Sequence, residues 1–232
     1  MRRTAVWVAV WVAAVVGAAG CGKSSAPGDP TVLRAEALKA LKDLHARVEP
    51  DEPTHDQSVT EIDLSRSELS DDGLVHVARF PTVRYLWLKN TGVTSAGLAK
   101  LSGLAALEKL DLSNTQVGDD GLAHIAHLIG LKSLALNGTH VTDAGMGTVA
   151  RLTGLQELGL QNTAVGDAGL EALKPLAELR ELQLERSKVT DAGLAHLKAL
   201  PKLATVYLGG TAVTVVGIDQ FRRENPSVEV VP

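Results

Sequence analysis

Apolar residues recur through most of the chain with a period of 24 positions. The repeated pattern is L-x-x-L-x-L-x-x-[ST]-x-V-[TG]-D-A-G-L-x-x-L-x-x-L-x-x, and its seven units begin at Val59, Val83, Leu107, Leu131, Leu155, Leu179 and Leu203. A fixed period of this length is typical of solenoids, in which each unit packs only against its neighbours. We therefore predict one repeat domain over residues 59–226.

Positions 4 and 6 of every unit are apolar and alternate with positions of variable type. This two-residue period predicts a strand with one buried face, and stacked units would join their strands in a parallel sheet. Position 9 is Ser or Thr in all seven units, from Ser67 to Thr211. We expect its hydroxyl to satisfy backbone groups as the chain leaves the sheet, in a hydrogen-bonded ladder.

The segment V-T-D-A-G-L after each strand predicts the start of a helix. Four residues are suited to cap its N-terminus, and they are Ser70, Thr94, Thr142 and Thr190. The Asp that recurs at position 13 favours the positive end of the helix dipole, so a metal or acid–base role for this column is the weaker interpretation. Gly recurs at position 15 from Gly73 to Gly217, where a side chain would collide with the neighbouring turn.

The TxVTDAGLxxL segment resembles the leucine-rich repeat family, and it looks like the bacterial branch related to the cysteine-containing repeats of F-box proteins. The resemblance implies an α/β fold, a right-handed horseshoe solenoid with a parallel concave sheet and short convex helices. It also implies a binding scaffold without catalysis. The last unit departs from the pattern at Val215 and Val216, and residues 227–232 are predicted to form a C-terminal capping strand.

The segment before the repeats, residues 31–58, is predicted to be an N-terminal helical cap. Its apolar residues share one face of a helix, and they are Leu33, Ala37, Leu41, Leu44 and Val48. A helix that binds a partner is the alternative interpretation.

Residues 1–20 have the pattern of a secretory signal, with a basic start, an apolar run and small residues at the end. The apolar run is too short to cross a bilayer as a helix. The segment AAGC resembles the lipobox of bacterial lipoproteins, which implies that Cys21 carries the lipid anchor. Residues 21–30 would then form a flexible tether. The alternative is an ordinary secreted, soluble protein.

Residues 17–24 also fit the P-loop pattern G-x-x-x-x-G-K-[ST]. A P-loop needs a helix directly after it, and Pro27 and Pro30 oppose that helix. We therefore predict no nucleotide binding.

Composition and motif content argue against several classes of function. A formal charge of −4 argues against wrapping nucleic acid, and a single cysteine excludes an intramolecular disulfide. His124 and His127 are three residues apart, but a closed metal site needs about four ligands. We find no Ser-His-Asp order and no nucleophile elbow. The prediction is a protein without catalytic residues, metal site or cofactor.

Positions 3, 5, 7 and 8 are expected to project from the concave sheet. The candidate partner-binding residues there are Tyr85, Trp87, Lys89, Lys109, Asp111 and Tyr207. Trp87 is the only tryptophan after residue 20, and an exposed aromatic beside charges is typical of interface hot spots. An open alternative is that residues 49–58 fold over Trp87 as part of the cap.

These features predict a membrane-anchored scaffold of the bacterial cell envelope, facing the periplasm or the exterior, that binds a protein or peptide. The alternative function is a structural spacer or assembly scaffold without a dedicated ligand.

Overall fold

The computed structural model describes residues 29–49 and 59–232. The predicted signal, Cys21, the P-loop-like segment and residues 50–58 lie outside the described residues.

Within the described residues, the strands form one sheet of nine strands in the order of the sequence. The strands are β1 (Arg47–Glu49), β2 (Glu61–Asp63), β3 (Tyr85–Trp87), β4 (Lys109–Asp111), β5 (Ser133–Ala135), β6 (Glu157–Gly159), β7 (Glu181–Gln183), β8 (Thr205–Tyr207) and β9 (Glu229–Val231). β1 is antiparallel to β2, and every later pair is parallel. From β2 onward, each residue is paired with the residue one repeat later, so the register repeats the period of the sequence.

In each repeat unit a short helix follows the strand and lies on the side of the solenoid opposite the sheet. The α-helices of the described part are α1 (Pro30–Asp43), α2 (Leu74–Val77), α3 (Asp119–Leu122), α4 (Asp143–Val149), α5 (Asp167–Ala172), α6 (Asp191–Leu197) and α7 (Val215–Glu224). Two 3-10 helices, Asp71–Gly73 and Gly97–Leu101, complete units 1 and 2. Consecutive helices pack side by side, as the strands do.

One continuous apolar core runs between the sheet and the helices. Positions 4 and 6 are buried in every unit, as are the helix positions 16 and 19. Leu86 and Leu88 of unit 2 are fully buried, and each such side chain contributes about 1.5–3 kcal/mol by leaving water. Because the residue at position 4 of each strand points into the core, the side chains at positions 3 and 5 point to the opposite face of the sheet.

The recurring Asp has a larger role than helix capping, because its carboxylate reaches the next unit. Asp167 Oδ1 accepts from the Thr190 backbone N–H at 2.9 Å, and Oδ2 accepts from the Thr190 hydroxyl at 2.7 Å. The same pair of bonds joins Asp71 to Thr94, Asp119 to Thr142, and Asp191 to Thr214. These bonds hold consecutive units together at the helix side.

The threonine hydroxyls at position 9 bond within their own unit and not to the next one, whereas the buried Ser187 hydroxyl has no partner among the described residues. Thr115 Oγ1 donates to the Leu112 carbonyl at 2.7 Å, and four other threonines of this column make the same bond. The expected ladder between units is thus formed by the Asp column, while these threonines close the turn after each strand.

Ser70 stands at the N-cap position of the first 3-10 helix, as predicted, but its side chain makes no capping hydrogen bond. Thr142 and Thr190 each accept from the backbone N–H two residues later at 3.2 Å. Their hydroxyl proton is donated to the Asp of the preceding unit, which directs a lone pair toward the helix. Ser70 belongs to the first unit and has no such Asp before it.

The predicted helical face over residues 33–48 is shorter than expected. α1 ends at Asp43, and Val48 lies in β1 opposite Ile62. His45 has a φ of 60°, and the next residue's N–H donates back to the Leu41 carbonyl at 2.9 Å. This is the Schellman arrangement, which ends a helix and here turns the chain back along the sheet. Ala37 and Leu41 are buried against the first unit.

Candidate functional site

The strands present two outward columns, formed by positions 3 and 5 on either side of each buried central residue. In β2, β3 and β5 the outward residues are half-buried and the central residue is buried. Strand register places Tyr85 between Glu61 and Lys109, and it places Trp87 between Asp63 and Asp111. We call these six residues the β2–β4 patch.

Two aromatic rings form the centre of the β2–β4 patch. The ring centroids of Tyr85 and Trp87 are 6.1 Å apart, and the ring planes are tilted by 38°. The Arg84 guanidinium lies 5.3 Å from the Tyr85 ring centroid, within the range of a cation–π contact. Both rings are half-buried, so each offers one surface to a ligand.

The carboxylates beside Trp87 are held by their own turns. Asp63 Oδ1 accepts from the Ser65 N–H, and Asp111 Oδ1 accepts from the Ser113 N–H, each at 2.8 Å. No residue of the described part forms an ion pair with either carboxylate. One oxygen of each carboxylate thus accepts no hydrogen bond from the residues that the structure describes.

The cations around the patch have partners of their own. Arg84 and Lys132 both bind Glu108, at 2.6 Å and 2.7 Å. Hydrogen bonds from Lys132 and then from Arg84 lower the pKa of the Glu108 carboxyl below its ordinary value. Lys109 reaches across the small Ser133 to Glu157, with an N–O distance of 3.7 Å.

Two of the predicted binding residues lie elsewhere. Lys89 lines a polar groove of about 210 Å³ that runs along the turns after the strands toward Arg186. Position 8 has positive φ in every unit, which explains the Asn and Gly residues there; Arg66 and Arg186 adopt the same conformation without that advantage. Tyr207 is in β8, five strands from β3, or roughly 24 Å at the usual strand spacing. The predicted set is thus divided into a patch, a groove and a distant tyrosine.

The candidate set from the sequence does not include Arg84, Glu61 or Asp63. Arg84 is at position 2, just before the strand, where the repeat pattern gives no sign that the side chain would fold over the next residue. The pairing of Asp63 and Asp111 on both sides of Trp87 follows directly from the 24-residue register.

The described residues show little else that indicates chemistry. They contain no cluster of three His, Cys, Asp or Glu side chains that could hold a metal. His127 Nε2 lies 2.8 Å from the Ser102 carbonyl oxygen, so the ring has a hydrogen-bond partner in the preceding unit. In residues 29–49 and 59–232, no helix has the length and apolar character needed to cross a membrane. Cys21 lies outside the described residues.

Comparisons with known proteins agree with the geometry. A sequence model described as Leucine Rich repeat matches residues 55–78 and 106–126. No curated protein matches the sequence. Among solved structures, an internalin (inlF) from Listeria monocytogenes has a TM-score of 0.56 at 18% identity, covering 72% of this chain and 52% of that one. Internalin C2 from the same organism has a TM-score of 0.57 at 21% identity, covering 86% and 96%.

The chain therefore contains leucine-rich repeats and folds as a right-handed open solenoid. It spans about half the length of the first of these structures. At these identities the likeness establishes the fold alone. Leucine-rich repeat folds in general act as non-catalytic scaffolds that bind protein partners.

Proposed function

We propose that this protein is a non-catalytic binding scaffold, anchored to a membrane of the bacterial cell envelope, that holds a protein or peptide partner on its concave sheet. The partner would contact the β2–β4 patch. The placement in the envelope rests on the signal pattern of residues 1–20 and on the lipobox-like segment before Cys21.

The observation that carries this proposal is the pair Tyr85 and Trp87 on an outward sheet face. Aromatic residues are enriched at the centre of interfaces, where rigid rings give a large contact area at low entropic cost. The same columns hold Ala135 and Gly159 in the middle of the solenoid, which offer little area for contact. Binding energy is therefore expected to concentrate at β3.

The test is capture of a partner from an envelope extract by the wild-type chain and by Trp87→Ala. We expect the substitution to weaken capture by about thirtyfold, the effect of losing a hot spot worth about 2 kcal/mol. Ile129→Ala is the matched control, because Ile129 is a large, exposed apolar residue (70% exposed) on the helix side. Capture that is unchanged in Trp87→Ala would favour a spacer without a dedicated ligand.

The anchor is tested separately by Cys21→Ser. We expect the wild-type chain to sediment with membranes and to carry the added mass of acyl chains. The serine variant should lose that mass and appear in the soluble fraction, since two or more acyl chains are needed for stable anchoring. An unmodified N-terminus at Met1 in the wild-type protein would contradict the proposal.

A further inference from the structure

We propose that the group that the partner places on Trp87 is a cation, in the form of an arginine or lysine side chain. This inference rests on the proposed function and names the chemistry of the partner at the same site.

Strand register supplies the first argument. Asp63 and Asp111 are paired directly with Trp87 on the two neighbouring strands, and adjacent strands of a sheet are about 4.8 Å apart. The face of an indole ring carries a negative electrostatic potential, which attracts a cation. An incoming cation would therefore meet three electronegative groups in a row, and an incoming carboxylate would be repelled by all three.

Asp63 and Asp111 are oriented by their own turns, and each has one oxygen without a hydrogen-bond partner among the described residues. Their Oδ1 atoms are fixed by backbone N–H groups, while their Oδ2 atoms have no such partner in the described part of the chain. Arg47 stands opposite Asp63 on β1 and attracts it electrostatically, but its hydrogen bonds go to Glu49. Arg84 pairs with Glu108, and Lys109 pairs with Glu157. An external cation would donate hydrogen bonds to Oδ2 atoms that accept none from the described residues.

The geometry around Trp87 suits a planar cation. Trp87 is half-buried, and strand register places Asp63 and Asp111 beside it on the two neighbouring strands. A planar guanidinium can stack on the ring and donate sideways to both carboxylates, which a compact ammonium cannot do to the same extent. Arginine is thus favoured over lysine.

The experiment uses the full chain with Trp7→Phe and Trp11→Phe, so that Trp87 is the only indole and its fluorescence reports on the site. The probes are two short, end-blocked glycine peptides that carry either one arginine or one citrulline, which is a neutral isostere. We expect the arginine peptide to bind about fivefold more tightly, the upper range for an exposed charge pair. Added salt should reduce this preference.

The matched variants are Asp63→Asn with Asp111→Asn, and Asp72→Asn with Asp219→Asn. Asparagine keeps an oxygen for the Ser65 and Ser113 N–H groups, so the first pair preserves the turns. We expect this pair to remove the preference for arginine. The second pair removes two exposed carboxylates from helix-side segments and should leave the preference unchanged.

Equal binding of the two peptides, or an arginine preference that survives Asp63→Asn with Asp111→Asn, would overturn this inference. The absence of any emission change with either peptide would overturn it as well. None of these results bears on the proposed partner binding, which is tested separately by capture with Trp87→Ala.

Discussion

At the residue scale, the recurring Gly and the recurring Asp depend on each other across the boundary between units. A Cβ added at Gly217 would lie 2.1 Å from Asp191 Oδ1, and all of its close contacts would be with that side chain. The same carboxylate accepts two bonds from Thr214. In units 2 and 4–7, glycine at position 15 is therefore needed because the Asp of the previous unit occupies the space where a Cβ would lie.

This dependence predicts a double-mutant result. Gly217→Ala should lower the free energy of unfolding by about 1–3 kcal/mol through overpacking. In an Asp191→Ala background the same change should be neutral or stabilising by up to about 1 kcal/mol, because alanine is the better helix former. Urea unfolding measures both effects.

The control for this cycle is Gly147→Ala in α4, where an added Cβ meets no atom within 4 Å. It should stabilise the protein by about 0.5–1 kcal/mol. An equal loss from Gly217→Ala in both backgrounds would contradict the account of the Asp column.

The sequence predicted that a side chain at position 15 would collide with the neighbouring turn, but not which atoms it would meet. It indicated the Asp as a helix-start residue because capping is visible within one unit. The bond from Asp167 to Thr190 spans 23 positions, so it depends on how units stack and not on local sequence. Ser70 makes no capping bond for the same reason, because it lies in the first unit and no preceding unit supplies an Asp.

At the scale of elements, the ends of three strands are linked by one carboxylate. Glu108 just before β4 binds Arg84 before β3 and Lys132 before β5. Its pKa is lowered in the folded protein, first by Lys132 and then by Arg84. A carboxyl group of this kind stabilises the fold above its unfolded-state pKa and ceases to do so as the pH falls through its folded-state pKa.

Glu108→Gln should therefore lower the free energy of unfolding at neutral pH, and its difference from the wild type should shrink in acid. The effect is expected to be small because the two cations that bind Glu108 are themselves exposed to solvent. Denaturant unfolding at a series of pH values measures it, with Glu68→Gln as a control on an exposed residue. A difference that stays constant into strong acid would show that the charge is not the cause.

The elements were predictable where they repeat and less so where they do not. Alternation at positions 4 and 6 predicted the seven repeat strands, because each one contributes the same buried pair. The segment before the repeats was predicted as a continuous helix over Leu33 to Val48. The chain instead turns at His45, which has a left-handed backbone conformation. Glycine usually indicates such a turn in a sequence, and none stands at this position.

At the scale of the whole molecule, the 24-residue register turns sequence positions into columns on one face. That register brings Tyr85, Trp87, Lys109 and Asp111 together, as the candidate set proposed. It also separates Tyr207 by five strands, because residues at equal positions move apart with every added unit. The face was thus readable from the sequence, whereas side-chain directions such as that of Arg84 were not.

The central claim is that a partner binds the concave sheet at β3, and site-specific photocrosslinking tests it most directly. A photoreactive phenylalanine analogue is placed either at Tyr85 or at Ile129, which is exposed on the helix side. We predict a discrete crosslinked partner from position 85 in intact envelopes, lost on Trp87→Ala, and none from position 129. The same crosslinked product from position 129, or its persistence in Trp87→Ala, would contradict the claim.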